Sequence, residues 1–116
     1  MKISVAIITY NEERNIERCL KSVVALADEI IVVDSLSTDK TVDLAKANGA
    51  NVIPQKFLGY IEQKNFAIQQ AKHNYILSLD GDEALSDELK ASILEIKTHW
   101  DHDGFYTSRL NNYCGQ

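Results

Sequence analysis

The chain has 116 residues, 45% hydrophobic and 25% charged, with a formal net charge of −5. Its length suits one small domain with one core, and the composition is that of an ordinary globular protein. The acidic balance repels a phosphate backbone and excludes nucleic acid as a bulk partner; an anionic small ligand needs a cation or backbone N–H groups to mask its charge.

Element types alternate along the chain. Ile3 to Ile8 is a short apolar, β-branched run that reads as a strand buried on both faces. Asn11 reads as a helix cap with Glu12 and Glu13 in the first turn, where the helix dipole favours acids. Ile16, Leu20 and Val23 then recur at helical spacing. Glu29 to Asp34 is a second buried strand. Ser37 or Thr38 is the expected cap of a helix running to about residue 48, and Gly49 falls where a C′ glycine belongs. Asn51 to Ile53 is a brief third strand stopped by Pro54. A helix is expected over 60–72, and Tyr75 to Leu79 is a fourth strand ending in Asp80-Gly81-Asp82-Glu83. Ser86 caps a last helix with Asp87 and Glu88 in its first turn and Leu89, Ile93 and Ile96 on its buried face. A fifth strand is expected at 104–108.

This order predicts an α/β fold: a three-layer α/β/α sandwich with a mainly parallel sheet and right-handed crossovers. Such sheets bind ligands outside the carboxyl ends of their strands, where the strand order switches. Polar residues gather just after the strands: Thr9-Tyr10-Asn11-Glu12, Asp34-Ser35 and Asp80-Gly81-Asp82. Acidic groups crowded at one sheet edge call for a divalent metal, a basic side chain, or both.

The triplet Asp80-Gly81-Asp82 is the sharpest signal. Carboxylates two residues apart near a strand end project to the same side. Gly81 lets the backbone bend so that both approach one ion. Mg²⁺ or Mn²⁺ takes oxygen ligands, and Mg²⁺ is held by one or two carboxylates plus substrate phosphates. Asp34 has two readings: it accepts a hydrogen bond from a base or ribose, or it caps its own loop through the N–H of Leu36 or Ser37. Lys64 reads as a solvated helical lysine and as a source of positive charge for the acidic edge. His73, His99 and His102 have no metal spacing. No phosphate-binding glycine loop and no nucleophile elbow occurs.

Cys19 and Cys114 stand in separate contexts without zinc spacing, and a disulfide framework is not expected. A reducing cytoplasmic setting follows as an expectation. The start Met1-Lys2 and the run to Ile8 do not make a signal peptide. No stretch approaches the roughly 20 apolar residues of a membrane span. Membrane association is therefore expected to be peripheral, at the inner face of the cell membrane, or to lie outside this chain.

Taken together, four stretches resemble family 2 glycosyltransferases with the nucleotide-diphospho-sugar transferase (GT-A, Rossmann-like) fold, and most of all the lipopolysaccharide-core β-glucosyltransferase branch. They are residues 7–13; 31–41; Gly59-Tyr60 with Gln63-Lys64-Asn65-Phe66-Ala67; and Leu77 to Glu83. The resemblance implies a truncated GT-A domain over 1–116, holding the nucleotide-sugar-binding part and lacking the acceptor-binding part. It implies that Thr9, Tyr10, Asn11 and Glu12 line a base pocket, that Asp34 recognises the base, and that Lys64 lies near the nucleotide. Asp80, Gly81 and Asp82 match the diphosphate and metal motif, with Asp80 and Asp82 on Mg²⁺ or Mn²⁺. The implied reaction is metal-dependent and inverting. It moves a sugar, most often glucose, from a UDP-sugar donor to a saccharide or lipid-linked saccharide acceptor. Leu36 departs from the family, which commonly has glycine there. The family's general base follows the fifth strand and is expected beyond Gln116, so this chain is expected to bind nucleotide weakly and turn over little.

Two rivals stay open. A phospho-acceptor receiver-like signalling domain also places acids at a strand edge, but needs an acceptor aspartate after the third strand and a lysine after the fifth. Here Pro54-Gln55 ends the third strand and no lysine follows Lys97. The other rival is a catalytically inactive nucleotide-binding module that keeps the fold.

Overall fold

A computed structural model describes residues 2–99 of the chain. The elements are β1 (Ile3–Thr9), α1 (Ile16–Val23), β2 (Glu29–Asp34), α2 (Thr41–Ala47), β3 (Asn51–Pro54), α3 (Tyr60–Gln69), β4 (Tyr75–Asp80) and α4 (Asp87–His99). The strands form one sheet in the order β3-β2-β1-β4, and every pair is parallel. The expected strand at 104–108 lies outside the described residues.

β1 and β2 are central, and their sequences show it. All seven residues of β1 are buried, and so are the last five of β2. Successive side chains of a strand face opposite sides of the sheet. Ile3, Val5 and Ile7 therefore pack on one face, against Ile16, Cys19, Leu20 and Val23 of α1, Ala45 of α2 and Ile93 of α4. Ala6 and Ile8 pack on the other, with Ile31, Val33 and Ala67 of α3. The two apolar clusters make the expected three layers. Leu89 and Ile96 of α4 are half-buried, while Ile93 is fully buried. Among the described residues, no helix is long and apolar enough to cross a membrane.

The strand order decides between two fold readings. The flavodoxin-like order of receiver domains, 2-1-3-4-5, puts the third strand beside the first. Here β3 pairs with β2 and β4 takes the place beside β1. The receiver reading is thereby set aside, and the switch in strand order falls between β1 and β4.

Several helix ends differ from expectation. Asn11 does not cap α1, which starts at Ile16 after Asn15. It sits at φ +50°, and its side chain accepts from the N–H of Thr38 at 2.9 Å. Neither Ser37 nor Thr38 caps α2. Lys40 holds the cap position without a side-chain bond, and Asp39 just before it accepts from the N–H of Thr41 at 2.9 Å and from the Thr41 hydroxyl. The hydroxyls near Asn11 and Ser37 are spent between loops, so the helices start later. α3 ends at Gln69, short of residue 72. Two expectations hold: Gly49 takes φ +88° after α2, and Ser86 Oγ accepts from the N–H of Leu89 at 3.1 Å.

Candidate functional site

A cavity of about 450 Å³ opens at the carboxyl ends of β1 and β4, at the switch point. Ile8, Thr9, Tyr10 and Glu12 line it from the end of β1, Ser35 from beyond β2, and Asp80, Gly81 and Asp82 from the end of β4. Phe57, Tyr60 and Gln63 close the side formed by α3 and the segment before it. Of the residues expected at the site, Thr9, Tyr10, Glu12, Asp80, Gly81 and Asp82 are brought together. Asn11, Asp34 and Lys64 are not part of the lining.

The turn after β4 is held tightly. The N–H of Gly81 donates to the carbonyl of Ile8 at 2.9 Å. Glu83 Oε1 accepts from the N–H of Asp80 at 2.8 Å, and the N–H of Glu83 donates to the carbonyl of Asp80 at 3.0 Å. A β-carbon on Gly81 would lie 2.8 Å from Thr9 Cγ2 and 3.0 Å from Glu12 Cγ. Glycine is therefore needed here for close approach to β1, rather than only for bending.

Asp80 is the half-buried carboxylate of this turn. Lys64 Nζ lies 3.7 Å from its Oδ1, too far for a hydrogen bond. That oxygen is shielded from water and has no hydrogen-bond donor. A buried carboxylate oxygen without a donor suits a cation held jointly with a ligand. Asp82, at the same cavity, is exposed. Two carboxylates and substrate phosphates are a usual Mg²⁺ arrangement, so the residues present fit a divalent ion. The negative field also reaches Cys19, whose Sγ lies 3.8 Å from the carbonyl of Asp80. Burial first, then the charges of Glu83 and Asp82, push its thiol up to about 12.

Of the acids expected at this sheet edge, Glu12, Asp80 and Asp82 line the cavity, with Lys64 beside Asp80, and Asp34 does not line it. No group of three or more His, Cys, Asp or Glu residues that could hold a metal occurs among the described residues. Asp34 is 1% exposed, and both its oxygens are engaged. Oδ1 accepts from the hydroxyls of Thr9 at 2.7 Å and Ser37 at 2.6 Å, and Oδ2 from the N–H of Ser37 at 2.8 Å. The loop-capping reading of Asp34 holds in this structure. Its carboxylate fixes the loop that carries Ser35 to the cavity.

Ser35, Phe57, Tyr60 and Gln63 were not among the expected site residues. Phe57 and Tyr60 meet edge to face, with ring centroids 5.3 Å apart. Gln63 is 1% exposed and donates to Ser35 Oγ at 2.9 Å and the carbonyl of Gln55 at 3.2 Å. The signal available for it is spacing: Tyr60, Gln63 and Ala67 share one face of α3.

The architecture agrees with comparisons to known proteins. The family described as Glycosyl transferase family 2 matches residues 4–115. An uncharacterized glycosyltransferase of Rickettsia bellii (strain RML369-C) is 49% identical over 109 residues, covering 94% of this chain and 37% of the relative. The lipopolysaccharide core biosynthesis glycosyltransferase LpsC of Rhizobium meliloti (strain 1021) is 34% identical over 101 residues, covering 83% and 37%. Glucosyl-3-phosphoglycerate synthase from Mycobacterium tuberculosis, solved with Mn²⁺, UDP and glucosyl-3-phosphoglycerate, superposes with a TM-score of 0.64 at 31% identity, covering 71% of this chain and 34% of that one. The chain thus spans a little over a third of the length of these two curated relatives. A parallel sheet switching order beside an acidic turn, and a family match over nearly its whole length, together establish that this chain belongs to glycosyl transferase family 2.

Proposed function

We propose that this chain forms the nucleotide-sugar-binding part of an inverting, metal-dependent glycosyltransferase. The whole enzyme passes a sugar, glucose in our reading, from a UDP-sugar to a saccharide or lipid-linked saccharide acceptor such as a lipopolysaccharide core. It works in the cytoplasm, at the inner face of the membrane. The observation that carries this reading is Asp80 Oδ1, a shielded carboxylate oxygen without a hydrogen-bond donor, on a residue that lines the switch-point cavity. The Mn²⁺ and UDP of the mycobacterial synthase and the name of LpsC support the donor, metal and acceptor classes.

Asp80 and Asp82 would hold Mg²⁺ or Mn²⁺, which when bound neutralises charge on a diphosphate leaving group. The chain's own residues do the positioning. Lys64 adds a positive charge beside Asp80, and Gly81 keeps the cavity floor low. Tyr10, 57% exposed, lines the cavity with an aromatic ring of the kind a planar base stacks on. No residue of this chain is assigned as the base that deprotonates the acceptor.

Calorimetric titration with UDP, with and without Mn²⁺, tests the reading on wild type and Asp82→Ala. We expect Mn²⁺ to strengthen UDP binding in wild type and to do so far less in the variant. UDP affinity indifferent to both metal and substitution would overturn it.

A further inference from the structure

We propose that Gln63 is a specificity-determining residue, whose Oε1 accepts a hydrogen bond from an N–H or O–H donor of the bound nucleoside. This rests on the nucleotide reading above and adds a residue to it.

Gln63 lines the cavity and is 1% exposed. Its orientation is fixed by chemistry. The carbonyl of Gln55 can only accept, so the amide nitrogen must face it at 3.2 Å; a flipped amide would set two acceptors against each other. The other hydrogen of Nε2 goes to Ser35 Oγ at 2.9 Å. Both donors of the amide are thus used. Oε1 is shielded from water and receives no hydrogen bond. Buried acceptors are rarely left so. Among the described residues, two other shielded side-chain polar atoms have none: Asp80 Oδ1, which belongs to the acidic turn, and Tyr75 Oη, whose residue begins β4 and is not part of the cavity lining.

Ser35 completes the arrangement. Its oxygen accepts from Gln63, so its own hydrogen is directed elsewhere. Gln63 and Ser35 both line the cavity, so a ligand that displaces what shields Oε1 meets an acceptor and a donor from neighbouring residues. That pattern complements a base edge carrying N–H beside C=O, as in uracil, and also a ribose hydroxyl. Phe57 and Tyr60, 48% and 70% exposed, stand at the same wall and can yield to an entering ligand. Asp34, the acid expected to read the base, has both oxygens engaged by Thr9 and Ser37. Gln63 Oε1 is a lining residue's acceptor that no donor engages.

The test is a cycle of ligand and protein changes, read by calorimetry in the presence of Mn²⁺. Wild type and Gln63→Met are titrated with UDP, N3-methyl-UDP, 2′-deoxy-UDP and 3′-deoxy-UDP. We expect one analogue to bind wild type about tenfold more weakly than UDP, and that ratio to fall below about twofold in Gln63→Met. The analogue that shows this identifies base or ribose as the donor. Equal ratios in both proteins for every analogue overturn the proposal while leaving UDP binding intact. Absence of UDP binding to wild type overturns both this proposal and the nucleotide reading. Should Gln63→Met fail to fold, the ¹³Cδ resonance of Gln63 in wild type carries the test. A shift with UDP that one analogue fails to produce supports the proposal, and no shift with UDP overturns it.

Discussion

The hydroxyl of Thr9 donates to Asp34 Oδ1 at 2.7 Å, joining the carboxyl ends of β1 and β2 where the sheet meets the cavity. Both residues are buried, at 4% and 1% exposure. Thr9→Val keeps the shape and removes a donor from a buried carboxylate. It should cost about 1–3 kcal/mol of stability, measured by urea unfolding. UDP affinity should fall as well, because the loop carrying Ser35 would lose one of the bonds that fix it.

The architecture was largely legible because buried parallel strands announce themselves. Ile3 to Ile8 and Ile30 to Val33 are apolar on every residue but Ser4, as burial on both faces requires. Helix starts were less legible. Asn11, Ser37 and Thr38 have the chemistry of caps, yet the same hydroxyl and amide groups serve equally well between loops. Which use wins depends on how close two loops come, and that is a tertiary fact. Asp80, Gly81 and Asp82 were readable because they directly follow a strand. Gln63 was not, since a glutamine on a helix with many polar neighbours looks solvated until the sheet beneath it is known.

Gly81→Ala should weaken both folding and nucleotide binding. Its new methyl group would meet Thr9 Cγ2 at 2.8 Å, and Thr9 is held in place by Asp34. Overpacking of this kind costs about 1–3 kcal/mol. Thermal unfolding and UDP titration should both register the change.

Leu36 occupies φ +61° and is 56% exposed. A left-handed conformation costs a residue with a β-carbon about 1–2 kcal/mol, of which glycine's extra unfolded-state freedom gives back part. Leu36→Gly should therefore stabilise the fold by about 0.5–1 kcal/mol, seen as a raised urea midpoint. A lowered midpoint would mean that the leucine side chain makes contacts worth more than the strain.

Asp39 makes stability depend on acid. Burial pushes its carboxyl up, but the Thr41 hydroxyl and the N–H groups of Thr41 and Glu13 outweigh this and lower it. Because the folded value is the lower one, the native state holds fewer protons. The stabilisation is complete above the unfolded carboxylate value of about 3.9 and is lost as pH falls through the folded value. Asp39→Asn should lower the urea midpoint at about pH 6, with the gap to wild type closing by about pH 2. A gap that stayed constant across this range would show that the carboxylate charge is not responsible.

The segments after β1 and β2 are laced together in both directions. The N–H of Asn11 donates to Ser37 Oγ at 2.8 Å, that of Glu12 to Thr41 Oγ1 at 2.8 Å, and that of Glu13 to Asp39 Oδ2 at 3.2 Å. In return, the N–H groups of Thr38 and Lys40 donate to the side chains of Asn11 and Glu13 at 2.9 Å and 3.0 Å. Neither segment can open without releasing amides of the other. Deuterium should therefore enter 11–13 and 38–41 at a common rate, as one opening unit. A ligand gripping either segment would slow uptake in both.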